Sequence, residues 1–391
     1  MQIPYGRQNI DETDINAVVD VLRSEFLTQG PAVPMFEGIV SDYCGSEYAV
    51  AVSSATAALH LACLALDVGP GDLVWTSAIT FVASANCARY CDADVDFIDI
   101  DPQTYNMSVL DLERKLEIAQ NSGRLPKVVI PVHLAGQSCD MKKIFDLAKR
   151  YGFRIIEDAS HAIGGSYEGV RIGSCQYSDI TIFSFHPVKI ITTGEGGMAV
   201  TNDGIIAGRL SRLRSHGITR ALDEIENKPD GPWYYEQLEL GYNYRMNDIQ
   251  AALGVSQMAK LDYFVIERKH ITDRYNEMFL SKPIKIPFTI ETAISSCHLY
   301  VARLDLVSLQ ASLKQVFDRM RSAGILVNLH YIPVYRHPYY EKFGYERRDY
   351  PVAEAYYSNA ISLPIFPGLT IQQQEFAVKT LCTPTGNQVI F

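Results

Sequence analysis

Through the first two thirds of the chain, short apolar runs alternate with segments whose apolar residues recur every three or four positions. Tyr48 to Ser53 reads as a strand, and Ala55 to Leu66, rich in Ala and Leu, as a helix. The turn Gly69-Pro70-Gly71-Asp72 leads to a strand-like run from Leu73 to Ala78. A helical stretch from Phe81 to Tyr90 and a strand from Val95 to Ile100 follow. Ser108-Val109-Leu110-Asp111 has the hydroxyl cap and first-turn acid of a helix start. Val128 to Leu134 is almost continuously apolar, as expected of a parallel strand covered on both faces. Asp140 is placed to cap a helix reaching Tyr151, and Gly152 to end it. Further strands are expected at Phe153 to Glu157, Asp179 to Phe185 and Met198 to Thr201. This βαβα rhythm predicts an α/β fold with a mostly parallel sheet between two layers of helices.

After Asn247 the rhythm changes. Ala251, Val255, Met258, Ala259 and Ile266 keep to three- and four-residue steps or their sum, which predicts one long helix. Beyond it the pattern gives a strand near His298 to Leu306 and helices near Ser308 to Ala323, Val352 to Ser362 and Thr370 to Leu381. A chain of 391 residues is long for one core. The expected division is an N-terminal arm and large domain over 1–250, then a connecting helix and smaller α+β domain over 251–391.

Composition narrows the function. Hydrophobic residues at 47% and charged residues at 20% fit an ordinary globular protein. No apolar run reaches the ~20 residues of a membrane span, and Met1 to Arg7 lacks the apolar core of a signal peptide. A net charge of -10 argues against nucleic acid as a partner. The eight cysteines show neither a Cys-x-x-Cys pair nor a zinc spacing, so no metal site is expected. They read as reduced thiols of a cytoplasmic protein.

The chemistry gathers where strands end, the place at which such sheets bind ligands. Lys189 follows the strand Asp179 to Phe185 and precedes a Thr/Gly turn. Asp158 ends the strand before it. A lysine amine and a carboxylate, each at the end of a strand of one α/β sheet, are what pyridoxal 5'-phosphate (PLP) requires. The amine condenses with its aldehyde, and the acid keeps the ring nitrogen protonated. Ser53-Ser54-Ala55-Thr56-Ala57 joins a strand to a helix start, where amides and the helix dipole hold phosphate. Ser184 adds a hydroxyl for the same phosphate, Phe81 an aromatic face for the ring, and His161 a contact to the ring oxygen. Read singly, these are a cap, a buried serine, a core aromatic and a loop histidine. Their order at successive strand ends makes the case.

The same segments carry a family resemblance. Pro4-Tyr5-Gly6-Arg7-Gln8, Phe26 to Pro31, Ser54 to His60, Glu157 to Ala162, Ser184 to Lys189, Thr193 to Gly197 and Gly241 to Ala252 match in register over nearly the whole chain. The chain resembles the DegT/DnrJ/StrS family of PLP-dependent nucleotide-sugar aminotransferases, of fold-type I architecture. The resemblance implies that Lys189 is the cofactor-binding lysine and Asp158 the partner of the ring nitrogen. It implies that Thr56, the Ala57 amide and Ser184 bind phosphate, and that Phe81 stacks on the ring. Asn243 would reach the cofactor phosphate of a second subunit, so that sites are shared across a homodimer. Arg245 would meet the substrate pyrophosphate there. Candidate sugar and nucleotide contacts are Tyr5, Arg7, His186, His330, Tyr331 and Tyr335. Ile3 to Gln8, His161 and His330 to Tyr335 resemble the pseudaminic acid subgroup. That implies amino transfer from L-glutamate to C4 of a UDP-4-keto-6-deoxy sugar.

Two rivals stand beside this reading: a sugar aminotransferase of other regiochemistry or nucleotide carrier, and a PLP-binding regulatory protein without turnover. Retention of Lys189, Asp158, Ser184 and Thr56 together disfavours the second. No Gly-x-Gly-x-x-Gly follows a strand, which disfavours a nicotinamide dehydrogenase.

Overall fold

The computed structural model describes residues 2–383. Seven strands form the main sheet: β1 (Tyr48–Val52), β2 (Leu73–Ser77), β3 (Asp94–Ile98), β4 (Val128–Ile130), β5 (Arg154–Asp158), β6 (Ile180–Ser184) and β7 (Gly197–Thr201). Their order is β1-β7-β6-β5-β4-β2-β3. Only β7 runs against its neighbours, pairing antiparallel with both β1 and β6. The connection from β6 to β7, residues 185–196, carries no helix, and the chain returns antiparallel beside the strand it left. The remaining strands are short, and beyond their first residues they are mostly apolar and buried on both faces.

Helices enclose the sheet. The first four in chain order are α1 (Glu12–Arg23), α2 (Ala32–Cys44), α3 (Ala55–Ala65) and α4 (Ala83–Tyr90), of which α3 and α4 reach the site. The helix starting after Asp140 spans Met141–Tyr151 and ends on Gly152 at φ 82. Asp140 does not cap it. Its carboxylate accepts from the Tyr167 hydroxyl at 2.8 Å and pairs with Lys143 instead.

The long helix expected after Asn247 is two, Asp248–Met258 and Leu261–Phe279. The break falls where Lys260 N–H bonds Gln257 O, three residues back. There the Gln257 and Lys260 side chains are pinned to Asp14, which is fully buried on α1. The apolar stripe runs on through both pieces, which is why the pattern alone reads as one helix.

Farther on, Ile284–Lys285, Tyr300–Leu304 and Ala360–Leu363 form a three-stranded antiparallel sheet. The helix expected near Val352 to Ser362 is only Pro351–Tyr357, and the apolar Ala360–Leu363 pairs as a strand. The helix expected from Ser308 starts at Leu313, behind a capping box of Ser312 and Gln315. Ile3–Pro4 pairs in parallel with Ile325–Leu326, and Ile365 N–H donates to Tyr5 O. These bonds carry the N-terminal arm to the rim of the main sheet. Among the described residues, no helix is long and apolar enough to cross a membrane.

Candidate active site

The carboxyl ends of β5 and β6 and the first turns of α3 and α4 converge on a cavity of about 550 Å³. Its walls include Thr56, Phe81, Asp158, His161, Ser184, His186 and Lys189, with Tyr5 from the arm and His330 and Tyr331 from the later part of the chain. Parallel pairing sets Asp158 beside Ile182, one pleat short of Ser184.

Lys189 stands on the connection 185–196, which is tied down from both ends. Gly197 pairs with Ser184, Phe185 N–H donates to Gly196 O, and Thr193 N–H donates to Phe185 O. The Thr192 hydroxyl also donates to Phe185 O and accepts from Gly194 N–H. Lys189 N–H closes a turn on His186 O at 2.8 Å. Burial disfavours the charged ammonium and pulls the Lys189 amine down to about 8, although the Asp158 charge acts the other way.

Asp158 is 5% exposed. Its Oδ2 accepts from the Ser84 hydroxyl at 2.6 Å and its Oδ1 from Ser160 N–H at 3.1 Å. Behind it, Glu157 accepts from the Ser178 and Thr181 hydroxyls and bonds His133 Nε2 at 2.7 Å. Cys139 N–H donates to His133 Nδ1, so that nitrogen carries no proton and Nε2–H donates to Glu157. This buried network fixes the strand end that presents Asp158.

The same logic sets the tautomer of His161. Ala135 N–H donates to its Nδ1 at 3.3 Å, so its proton sits on Nε2 and donates to the Tyr331 hydroxyl at 3.0 Å. Burial, with Lys189 next in weight, holds His161 well below the usual histidine range, so it stays neutral. Burial and Lys189 likewise lower His330, to about 3. The Tyr331 hydroxyl is pushed up by burial and stays protonated. Since it accepts from His161, its own proton is free for a ligand.

At the other end of the cavity, β7 begins against the start of α3. A Cβ on Gly197 would lie 2.5 Å from Ala55 N, so only glycine admits this approach. The first amides of α3 have no partner within the helix. The Ala57 amide is already taken by Ser54 Oγ at 3.1 Å, which leaves the amides before it and the hydroxyls of Thr56 and Ser184 for an anion.

Five residues singled out in the sequence lie outside these walls. Ala57 is buried as the third residue of α3. Arg7 lines a separate hollow of about 300 Å³ with Phe366 and Gly368. Tyr335 is 1% exposed and donates to Glu354 at 2.8 Å. Asn243 is exposed on a segment bridged to Ser215, and Arg245 donates to Ser215 Oγ. Conversely, Thr80, Ser160, Glu195 and Asn328 line the cavity, and Ser84 stands behind Asp158, without having been foreseen. Helical spacing offered one signal: Ser84 lies three residues after Phe81, on the same side of a helix start.

This donor set is a fit for PLP: hydroxyls and helix amides for a phosphate at one end, a carboxylate for a ring nitrogen at the other, and a depressed lysine amine between. The family model for DegT/DnrJ/EryC1/StrS aminotransferases matches residues 8–381. The chain belongs to that family. It is a PLP-dependent nucleotide-sugar aminotransferase of fold type I. One relative is the UDP-4-amino-4,6-dideoxy-N-acetyl-β-L-altrosamine transaminase of Campylobacter jejuni (strain 81-176), 37% identical over 97% of this chain and 96% of its own. A second is the UDP-4-amino-4-deoxy-L-arabinose–oxoglutarate aminotransferase of Shewanella sediminis, 33% identical over 99% of both chains. Among solved structures, Spr1654 of Streptococcus pneumoniae, assigned as a sugar aminotransferase, superposes in its PLP form with a TM-score of 0.86. It is 32% identical over 97% of this chain and 98% of its own.

In this aminotransferase the depressed amine has a kinetic consequence. Only the neutral amine attacks an aldehyde, so below a pKa of about 8 the reactive fraction of Lys189 falls about tenfold per pH unit. Capture of PLP by the apoprotein, followed by stopped-flow absorbance, should therefore rise with pH, reach half its maximum near 8 and level off above it. A rate still climbing toward pH 10 would show an ordinary exposed lysine.

Proposed function

We propose that the enzyme moves the amino group of L-glutamate to C4 of a UDP-4-keto-6-deoxy-N-acetylhexosamine, giving UDP-4-amino-4,6-dideoxy-N-acetyl-β-L-altrosamine and 2-oxoglutarate. The observation that carries the chemistry is the meeting of Lys189 and Asp158 on one cavity, with hydroxyls and helix amides beyond. The choice of carrier and carbon is supported by two full-length relatives whose names are those of UDP-4-amino sugars.

PLP supplies the aldehyde and an electron-accepting ring that stabilises a carbanion. Lys189 Nζ takes the α-proton of glutamate in one half-reaction and delivers a proton to sugar C4 in the other. Its lowered pKa suits both tasks. Asp158 keeps the proton on the ring nitrogen. Thr56, Ser184 and the opening amides of α3 hold the phosphate, Phe81 covers the ring face, and neutral His161 faces the ring oxygen. Tyr5, His186, His330 and Tyr331 face the sugar, Tyr331 with a hydroxyl proton to give. Arg7, which lines a separate hollow, is assigned to the diphosphate, which an arginine can grip with two parallel bonds.

Asn243 and Arg245 are assigned to the site of a second subunit, a reading supported by their position outside the cavity of their own chain. The working unit is then a homodimer. Eight free cysteines accord with a cytoplasmic location.

The test is direct. Incubation with L-glutamate and the UDP-4-keto-6-deoxy sugar should give an amine on C4 by NMR. An amine on C3, or no product, would remove the assignment.

A further inference from the structure

Ser84 is fully buried in the first turn of α4, yet it does not cap that helix, whose N-cap Val82 has no side-chain bond. Its hydroxyl has two partners on offer besides Thr80: Asp158 Oδ2 at 2.6 Å and Phe81 O at 3.4 Å. The shorter, charged acceptor takes the proton. A serine hydroxyl has one proton. Thr80 Oγ1, 2.8 Å from Ser84 Oγ, must then be the donor of that pair. The result is a directed chain, Thr80 to Ser84 to Asp158, buried throughout.

We infer that Ser84 is a positioning residue for the reaction: its hydroxyl, with Ser160 N–H on the other oxygen, clamps the Asp158 carboxylate in the orientation that meets the cofactor's ring nitrogen. The inference rests on the reading of Asp158 given above. Two arguments carry it. Each carboxylate oxygen receives one donor from the protein, and the lone pairs left over are those available to a ligand N–H. And the segment 80–84 also bears Phe81, a wall of the cavity, so one short turn sets both the aromatic face and the acid at the edge of the same ring.

The experiment is equilibrium binding of two ligands to the apoprotein, PLP and its analogue with carbon in place of the ring nitrogen. Each is measured with the parent, Ser84→Ala and Asp158→Ala. A loss of one charge-assisted bond corresponds to roughly tenfold. Ser84→Ala should weaken PLP by about that factor and leave the analogue within about twofold, because only PLP uses the clamped acid. If both ligands weaken alike, or neither does, Ser84 has a packing role at most and the inference is overturned. If Asp158→Ala abolishes the preference for PLP while Ser84→Ala preserves it, the Ser84 inference alone falls. If Asp158→Ala keeps the parent's preference, the reading of Asp158 falls and takes Ser84 with it.

Discussion

Lys189→Ala is expected to bind PLP still and to lose amino transfer by a factor of about a thousand or more. The variant removes the group that both receives and returns the proton, a role worth roughly 10²–10⁴ by itself, and the covalent attachment with it. The half-buried side chain opens on the cavity and leaves room when shortened, so folding should be unaffected. Two readouts decide the matter. Product formation gives the rate, and borohydride reduction followed by digestion should label position 189 in the parent and no residue in the variant. Turnover within about tenfold of the parent would refute the acid–base assignment. The same protein tests the shared site. Mixed with Asn243→Ala, it should regain activity, because one site of each mixed dimer then has both groups intact. Failure in verified heterodimers would confine each site to one chain.

Asp158→Asn should cost about 10²–10³ in kcat, the scale of losing one preorganised charge aimed at where charge develops. Asparagine keeps the shape of the side chain and its one oxygen can accept from Ser84, so that bond survives while the bond from Ser160 N–H is lost. What it lacks is the negative charge, and its amide donates where a ring nitrogen needs an acceptor. Reconstitution with N-methylated PLP, whose ring nitrogen is permanently positive, should restore part of the loss. A variant within about fivefold of the parent, or one that the methylated cofactor leaves unmoved, would show that Asp158 serves only the strand end.

Much of the site was legible because its members sit at punctuation marks. Lys189, Asp158 and Thr56 each stand where an apolar run stops and a turn or helix starts, and parallel strands bring such stops to one edge. The alternation of β1 through β6 was readable for the same reason. Less was legible where a side chain's partner lies far along the chain. Asp140 looked like a cap and went to Tyr167. Tyr335 looked like a substrate contact and lies buried against Glu354. The kink at Lys260 depends on Asp14, 246 residues away. Ser84 was hidden by its ordinary appearance as a first-turn serine, and only the fold shows that the carboxylate of Asp158, 74 residues on, waits for its proton.

The connection that carries Lys189 begins and ends on paired strands, with Gly197 opposite Ser184 and Phe185 bonded to Gly196. Such a mount cannot swing as a flap. Whatever path the amine follows between glutamate and sugar must come from torsions of its own four methylenes, like a short tether on a fixed post. Such rotations belong to the picosecond-to-nanosecond range rather than to slow loop motion.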